Sequence, residues 1–247
     1  MKMINHKKSW DLIAHDYESE IVSPFSHARH FPLIKTLDNI KYLSNYHAVD
    51  FGTGTGPLLP LIYKKFKNIT AIDFSSEMLS KAKTRVSSLP LRKNQNISFQ
   101  KIDLTKSNYS LKCSFDIAFS INSIIEPDII KTEKIFSNIL SSLRGPRIFI
   151  GVFPAIESFY EEYHYSYLKF RKQKYSHEKA SQLTDISLET KRLNSKLGTY
   201  RADGLTQKYF RQNEISLKLQ KFGLKNITFD KVIYKRQFSF NLKEQSL

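Results

Sequence analysis

The sequence predicts an α/β fold built on a doubly wound, mostly parallel sheet. Two observations predict it. Short apolar segments typical of buried strands alternate with segments whose apolar residues recur at helical spacing, over residues 45–154. In addition, polar residues stand at the ends of the strand-like segments, which is where such sheets bind their ligands.

The first strand, turn and helix lie in residues 47–60, HAVDFGTGTGPLLP. A strand that enters a glycine turn (Gly52, Gly54, Gly56) and then a helix directs free backbone N–H groups into a crevice. We expect glycine there because a Cβ would block the close approach of a ligand. A dinucleotide fingerprint would have a third glycine where Pro57 stands, so the spacing disfavours NAD. A tight turn with glycines for backbone reasons alone is the alternative.

The second strand, Ile69–Asp73, ends in a carboxylate 23 residues beyond Asp50. That position in a βαβ unit suits an acid that accepts hydrogen bonds from both ribose hydroxyls of a bound nucleoside. Ser75 or Ser76 can cap the helix that follows. Asp73 could also serve only as a helix cap, but the preceding glycine turn favours the ribose interpretation.

Three further strands and a helix continue the alternation. The predicted strands are Ile97–Ile102, Phe115–Ile121 and Arg147–Pro154, and the predicted helix is Lys131–Leu143. Because ligands bind outside the carboxyl ends of parallel strands, we expect one site at the polar residues found there. These residues are Asp50, Gly52, Asp73, Asp103 and Ser120.

The flanking segments read as helical cover and lid. Residues 5–22 and 31–44 carry apolar residues at helical spacing. After Pro154, an aromatic stripe at helical spacing (Phe159, Tyr163, Tyr167, Phe170) and a polar helix through Lys196 predict an insertion that overhangs the strand ends. Simple packing of the aromatic stripe is the alternative.

The chain closes with a predicted helix, Gln212–Phe222, and a hairpin of strands Ile227–Tyr234 and Gln237–Asn241. With no repeat and no Pro/Gly-rich linker, 1–247 is expected to be a single domain. Its parts are a helical cover (1–44), a cofactor-binding core (45–154), a helical lid (155–205), and a closing helix and hairpin (206–247).

Composition limits the function classes. The formal net charge of +16 invites a nucleic-acid partner, but the lysines are dispersed and form no dense basic run, so nucleic acid is possible but not favoured. No apolar run approaches the ~20 residues of a membrane span, and no secretory signal is visible. With Cys113 as the only cysteine, neither a disulfide framework nor a thiolate zinc site is expected, and a cytoplasmic location is the default.

At these residues the chain resembles the class I S-adenosylmethionine-dependent methyltransferases. VDFGTGTG is similar to the family's first motif, ITAIDFSSEML to its ribose-binding segment, FQKIDL to its adenine-binding segment and FDIAFSINSI to its fourth motif. The opening W-D-x-x-A-x-x-Y is similar to the N-terminal helix that covers the cofactor in many members.

The resemblance implies a Rossmann-like, seven-stranded, mostly parallel sheet with an antiparallel C-terminal hairpin strand and a helical insertion after the fifth strand. It also implies S-adenosyl-L-methionine as cofactor and S-adenosyl-L-homocysteine as product. No metal is expected, because the histidines of the first 30 residues lack a compact metal-ligand pattern. The cofactor-binding residues that the resemblance implies are Tyr17, Asp50, Gly52, Thr53, Gly54, Gly56, Asp73, Phe74, Met78, Asp103, Leu104 and Ser120.

The resemblance says little about the methyl acceptor. No N-P-P-Y-type motif follows the fourth strand, and Cys113 precedes it, so amino methylation of DNA bases and covalent C5-pyrimidine chemistry are not supported. The favoured hypothesis is methyl transfer to O or N of a small molecule. The alternatives are an RNA methyltransferase and a non-catalytic Rossmann-like binding protein. An O or N acceptor can require a base, and the weak candidates for one are Glu157, Glu161, Tyr163, His164 and Glu126.

Overall fold

The computed structural model describes residues 24–91, 94–107, 109–202 and 205–234. The predicted N-terminal helix over residues 5–22, with Tyr17, lies outside the described residues, as does the predicted strand Gln237–Asn241.

Helices and strands alternate through the described chain. The helices are α1 (Pro24–His27), α2 (Leu33–Asp38), α3 (Leu59–Ile62), α4 (Ser76–Ser87), α5 (Ile129–Ser141), α6 (Ile156–Lys172), α7 (His177–Ser187) and α8 (Gln212–Lys221). The strands are β1 (Ala28–His30), β2 (His47–Phe51), β3 (Asn68–Asp73), β4 (Asn96–Lys101), β5 (Phe115–Ile121), β6 (Leu143–Val152), β7 (Leu193–Asn194), β8 (Thr199–Ala202), β9 (Leu205–Lys208) and β10 (Ile233–Tyr234).

The central sheet has the order β4-β3-β2-β5-β6, and all of its strands are parallel. The strand order reverses between β2 and β5, where Val49 pairs with both Thr70 and Ala118. This point is where open α/β sheets bind ligands. In the described residues the sheet therefore has five strands and not the seven expected, and β10 forms a separate antiparallel ladder with β1.

Each face of the sheet carries its own apolar core. Strand side chains alternate between faces, so Ala48 packs with one core, which includes Ile62 and Ala82, while Val49 and Phe51 pack with the other. Helices α3 and α4 cover the first face, and α5 and α8 cover the second. Because β2 is covered on both sides, its residues 48–51 are buried and all are apolar except Asp50.

Several predicted elements differ from those observed. The helix expected after Pro57 is a single turn, α3, and Pro60 and not Pro57 lies in it. The helix expected over residues 31–44 ends at Asp38. Strand β6 begins at Leu143, four residues before the predicted start, because an irregularity between two ladder segments accommodates Gly145 and Arg147 at positive φ.

The two ends of the insertion after β6 lie side by side and are joined by backbone hydrogen bonds. The Ile156 N–H donates to the Phe210 carbonyl (3.1 Å), and the Phe210 N–H donates to the Pro154 carbonyl (2.8 Å). Between them lie α6, α7 and the antiparallel sheet β7-β8-β9. The predicted polar helix through Lys196 is thus wrong, since α7 ends at Ser187 and strands follow.

None of the helices in the described ranges combines the length and the apolar character needed to cross a lipid bilayer.

Candidate functional site

A cleft opens at the carboxyl ends of β2, β3, β4 and β5. It is lined by residues of the glycine turn, of the end of β3, of the segments after β3 and β4, of the loop after β5, and of α4 and α5. They are Gly52, Gly54, Ile72, Asp73, Phe74, Met78, Ile102, Asp103, Leu104, Thr105, Asn122, Ser123, Ile124, Ile125, Glu126 and Ile135. Seven of the twelve predicted cofactor-binding residues are in this set.

Backbone hydrogen bonds orient the carboxylate of Asp73 in the cleft. Its Oδ2 accepts the Gly54 N–H (2.9 Å), and its Oδ1 accepts the Ser75 N–H (2.9 Å). These bonds fix the carboxylate plane, and each oxygen of a carboxylate can accept a second bond. Ser75, one of the two residues expected to cap α4, does so by accepting the Met78 N–H (3.2 Å). Asp73 therefore both orients the glycine turn and presents an acceptor to the cleft.

The segment after β4 supplies a second oriented carboxylate. Asp103 Oδ1 accepts the Thr105 N–H (3.0 Å) and the Thr105 Oγ1–H (2.6 Å), which forms a local Asx turn. On α5, the Asn138 amide donates to the Leu104 carbonyl (2.8 Å) and so holds the same segment against the helix. With Phe74 on the neighbouring strand end, this region offers one apolar ring and two carboxylates.

The structure gives a cause for glycine at position 52 besides the expected close approach of a ligand. Gly52 has φ +67°, and a Cβ there would lie 2.3 Å from the Cβ of Ser123. Ser123 is held in place because its Oγ donates to the Phe51 carbonyl (2.7 Å) and bonds Ser120 Oγ (2.7 Å). What approaches Gly52 in the structure is the loop after β5, which locks the two strands at the reversal of the sheet.

Four predicted residues lie behind the lining: Asp50, Thr53, Gly56 and Ser120. Asp50 is buried and accepts a hydrogen bond from the Thr53 hydroxyl (2.6 Å). Burial raises the pKa of Asp50 to about 7, the hydrogen bond from Thr53 opposes this shift, and the Asp73 charge reinforces it. A Cβ on Gly56 would meet α4 at Ala82 (3.0 Å). These four residues therefore support the turn, and a direct contact with a cofactor stays a prediction for them.

The loop after β5 forms a wall of the cleft, and most of its residues were not predicted as part of the site. Asn122, Ser123, Ile124, Ile125 and Glu126 all line the cleft. Their position in the sequence could have indicated this, because they directly follow the predicted strand Phe115–Ile121 and ligands bind beyond the carboxyl ends of such strands. Four further lining residues were not predicted to belong to the site: Ile72, Ile102, Thr105 and Ile135.

Of the five candidate bases, only Glu126 reaches the cleft. On α6, Glu157 and His164 are exposed, Glu161 pairs with Lys231 (2.6 Å), and the Tyr163 hydroxyl bonds Ser181 of α7 (3.1 Å). The structure thus brings none of the four insertion candidates into the cleft lining.

Comparison with known proteins agrees with this geometry. Residues 48–145 match the family model described as a methyltransferase domain. A search of curated proteins gives no match.

Solved structures of similar fold include three methyltransferases. A SAM-dependent methyltransferase from Methanosarcina mazei is 18% identical, with a TM-score of 0.54 over 78% of this chain and 84% of that one. An S-adenosylmethionine-dependent methyltransferase from Clostridium acetobutylicum is 16% identical, with a TM-score of 0.50 over 87% of this chain and 86% of that one. Magnesium protoporphyrin IX methyltransferase from Synechocystis, solved with bound SAH, is 13% identical, with a TM-score of 0.50 over 90% of this chain and 79% of that one. At these identities the likeness shows the fold.

Together the findings confirm the resemblance to class I S-adenosylmethionine-dependent methyltransferases that the sequence indicated.

Proposed function

We propose that this protein, whose residues 48–145 match the methyltransferase-domain family, transfers a methyl group from S-adenosylmethionine to O or N of a small-molecule acceptor. One observation carries the proposal. Two oriented carboxylates, Asp73 and Asp103, stand at adjacent strand ends and face one cleft with the glycine turn.

The donor set of the cleft fits the cofactor. Asp73 would accept hydrogen bonds from the ribose hydroxyls, and Phe74, Met78 and Leu104 would contact the adenine, with Asp103 toward its amino group. The glycine turn would receive the methionine portion. When bound, the cofactor supplies a sulfonium-activated methyl group, so the chain mainly has to align the acceptor and exclude competing water.

A small acceptor is supported by how the insertion meets the cleft. The Lys208 N–H at the end of β9 donates to the Ile125 carbonyl (2.9 Å), which joins the returning strand of the insertion to the cleft wall. The wall itself is largely apolar, with Ile124, Ile125 and Ile135. An apolar wall that faces a limited number of placed polar groups is typical of small-molecule sites.

The decisive experiment is calorimetric titration with S-adenosylhomocysteine of the native protein and of Asp73→Asn. Hydrogen bonds to a charged carboxylate contribute about 1.5–3 kcal/mol, so we expect the substitution to weaken binding by about 10- to 100-fold. Asp116→Asn is the matched control, because Asp116 also accepts a backbone N–H, from His47 (2.8 Å), but lies outside the cleft lining.

No binding by folded native protein would refute the cofactor assignment and favour a different ligand. Equal weakening by both variants would refute the role of Asp73. If S-adenosylhomocysteine binds but labelled methyl groups enter only RNA, the small-molecule part of the proposal is wrong.

A further inference from the structure

Asn122 occupies a special position in the cleft wall. It is the first residue after β5 and has φ +52°, a left-handed conformation in which asparagine is enriched. Its backbone N–H donates to the Val152 carbonyl at the end of β6 (2.9 Å). The backbone of Asn122 is therefore held at the ends of β5 and β6, and Asn122 lines the cleft.

The side chain of Asn122 has a distant partner. Its Nδ2 lies 3.4 Å from the hydroxyl oxygen of Tyr234, a residue 112 positions away. Tyr234 is partly buried, and burial raises the pKa of its phenol while the Asn122 contact opposes that shift. Its strand β10 pairs with β1, where Tyr234 stands opposite Ala28. The contact therefore brings the C-terminal part of the described chain to the cleft wall at the end of β5.

The charges of the lining restrict what can react there. Among the described lining residues, three are carboxylates (Asp73, Asp103 and Glu126), and none is lysine, arginine or histidine. A carboxylate or phosphate nucleophile would incur a desolvation cost beside these three carboxylates, with no cationic side chain among the described lining residues to offset it. A neutral hydroxyl or amine would not meet this cost. The amide of an asparagine can both donate a hydrogen bond to such a group and accept one from it.

We infer that the Asn122 side chain, oriented by Tyr234, binds the reacting hydroxyl or amine of the acceptor. The inference rests on the proposed function and names its substrate class. Asn122 is the residue that touches the acceptor, and Tyr234 is a positioning residue that acts through it. Because Nδ2 faces the Tyr234 hydroxyl, the Oδ1 atom is fixed as well and is the group that accepts the acceptor's O–H or N–H.

The first test compares Tyr234→Phe with the native protein, using labelled S-adenosylmethionine and a small-metabolite extract freed of macromolecules. Loss of one neutral hydrogen bond predicts a fall in methyl transfer of about three- to tenfold, seen mainly as a higher apparent KM for the acceptor. Affinity for S-adenosylhomocysteine should stay within about twofold, a result that a merely structural role would not give. Tyr209→Phe is the matched control, since Tyr209 is also partly buried with a raised pKa, whereas the hydroxyl that Asn122 Nδ2 contacts is that of Tyr234.

Asn122→Gly is the second variant, because glycine tolerates the left-handed backbone and removes only the side chain. We expect a larger loss of transfer than for Tyr234→Phe, and no further loss when the two substitutions are combined. Additive losses in the double variant would refute the idea that Tyr234 acts through Asn122. An unchanged rate in Tyr234→Phe would refute it too.

The chemistry of the product tests the substrate class. Methyl ethers and methylamines withstand mild alkali, whereas a carboxyl methyl ester releases its label as volatile methanol. We expect the label to stay non-volatile, and volatile release would overturn the inference. If no extract component is labelled although S-adenosylhomocysteine binds, the acceptor class is wrong while the cofactor assignment stands. If S-adenosylhomocysteine does not bind, the proposed function itself fails.

Discussion

Replacing Gly52 by alanine should destabilise the protein severely through its contact with Ser123. The new Cβ would lie 2.3 Å from Ser123 Cβ and 2.9 Å from Ser123 Oγ, so the serine has to move. Moving it breaks the hydrogen bonds to the Phe51 carbonyl and to Ser120 Oγ, each contributing about 1 kcal/mol. A non-glycine residue at φ +67° adds about 1–2 kcal/mol of backbone strain.

The expected loss in unfolding free energy is therefore about 3–4 kcal/mol, which for a chain of this length lowers the melting temperature by roughly 6–16 °C. Thermal and urea unfolding of purified variants measure it. Gly223→Ala is the matched control: Gly223 has φ +80°, but its nearest neighbour to a new Cβ is an Arg147 nitrogen at 3.8 Å, so only backbone strain applies.

A double-mutant cycle separates the two causes. In a Ser123→Gly background the clash disappears, and Gly52→Ala should then cost no more than Gly223→Ala, which corresponds to a coupling of about 2 kcal/mol. Equal costs of Gly52→Ala in both backgrounds would show that Ser123 is not what requires glycine at this position.

Two further predictions concern pH. The pKa of Asp50 is raised to about 7 in the folded protein, whereas its ordinary value is 3.8. Between these two pH values the folded protein holds a proton on Asp50 that the unfolded chain has released. The free energy of unfolding should therefore fall as pH rises from about 4 to about 7, by at most about 1.4 kcal/mol per pH unit. Asp50→Asn, which can still accept the Thr53 bond, should flatten that dependence in urea titrations, and an unchanged slope would contradict it. The pKa of Glu133 is lowered chiefly by its hydrogen bond to Lys218 and also by the one to Lys221, while burial opposes this shift. The ionised Glu133 therefore stabilises the folded protein above the ordinary glutamate pKa, and this stabilisation is lost as pH falls through the lower pKa of the folded state. Glu133→Gln should therefore cost up to about 1 kcal/mol at pH 7, and the gap from the native protein should close on acidification; a constant gap would contradict it.

The core strands could be predicted because their causes are local. The strand predicted at Phe115–Ile121 has those bounds in the structure, and the one predicted at Ile69–Asp73 begins only one residue earlier. Each is a short apolar run buried on both faces, so the apolar pattern alone defines it. The places of Asp73 and Asp103 could be predicted because Asp73 is the last residue of β3 and Asp103 comes two residues after β4, so both lie at the sheet's carboxyl edge.

The failures have tertiary causes. Residues 188–196 carry a polar pattern that suits a helix, yet Leu193–Asn194 pairs with β8, which the chain reaches only after turning back. The single turn of α3 likewise ends early although the apolar spacing continues to Phe66, and that phenylalanine is buried in the same core. In these places the apolar spacing indicates which residues are buried and does not indicate how long the helix is. The pattern therefore predicted the buried residues of this segment correctly and the end of its helix incorrectly.

The two sides of the cleft differ in how far apart their partners lie in the chain. On the proposed cofactor side, Gly54 and Asp73 are joined by a hydrogen bond over 19 positions, within one strand-helix-strand unit. On the proposed acceptor side, Asn122 meets Tyr234 over 112 positions, and Ile125 meets Lys208 at the end of the insertion. A change in the insertion or in the C-terminal segment can therefore remodel the acceptor wall while leaving the Gly54–Asp73 bond intact. It follows that the cofactor could be inferred from short motifs, whereas the acceptor has to be inferred from contacts that only the folded chain creates.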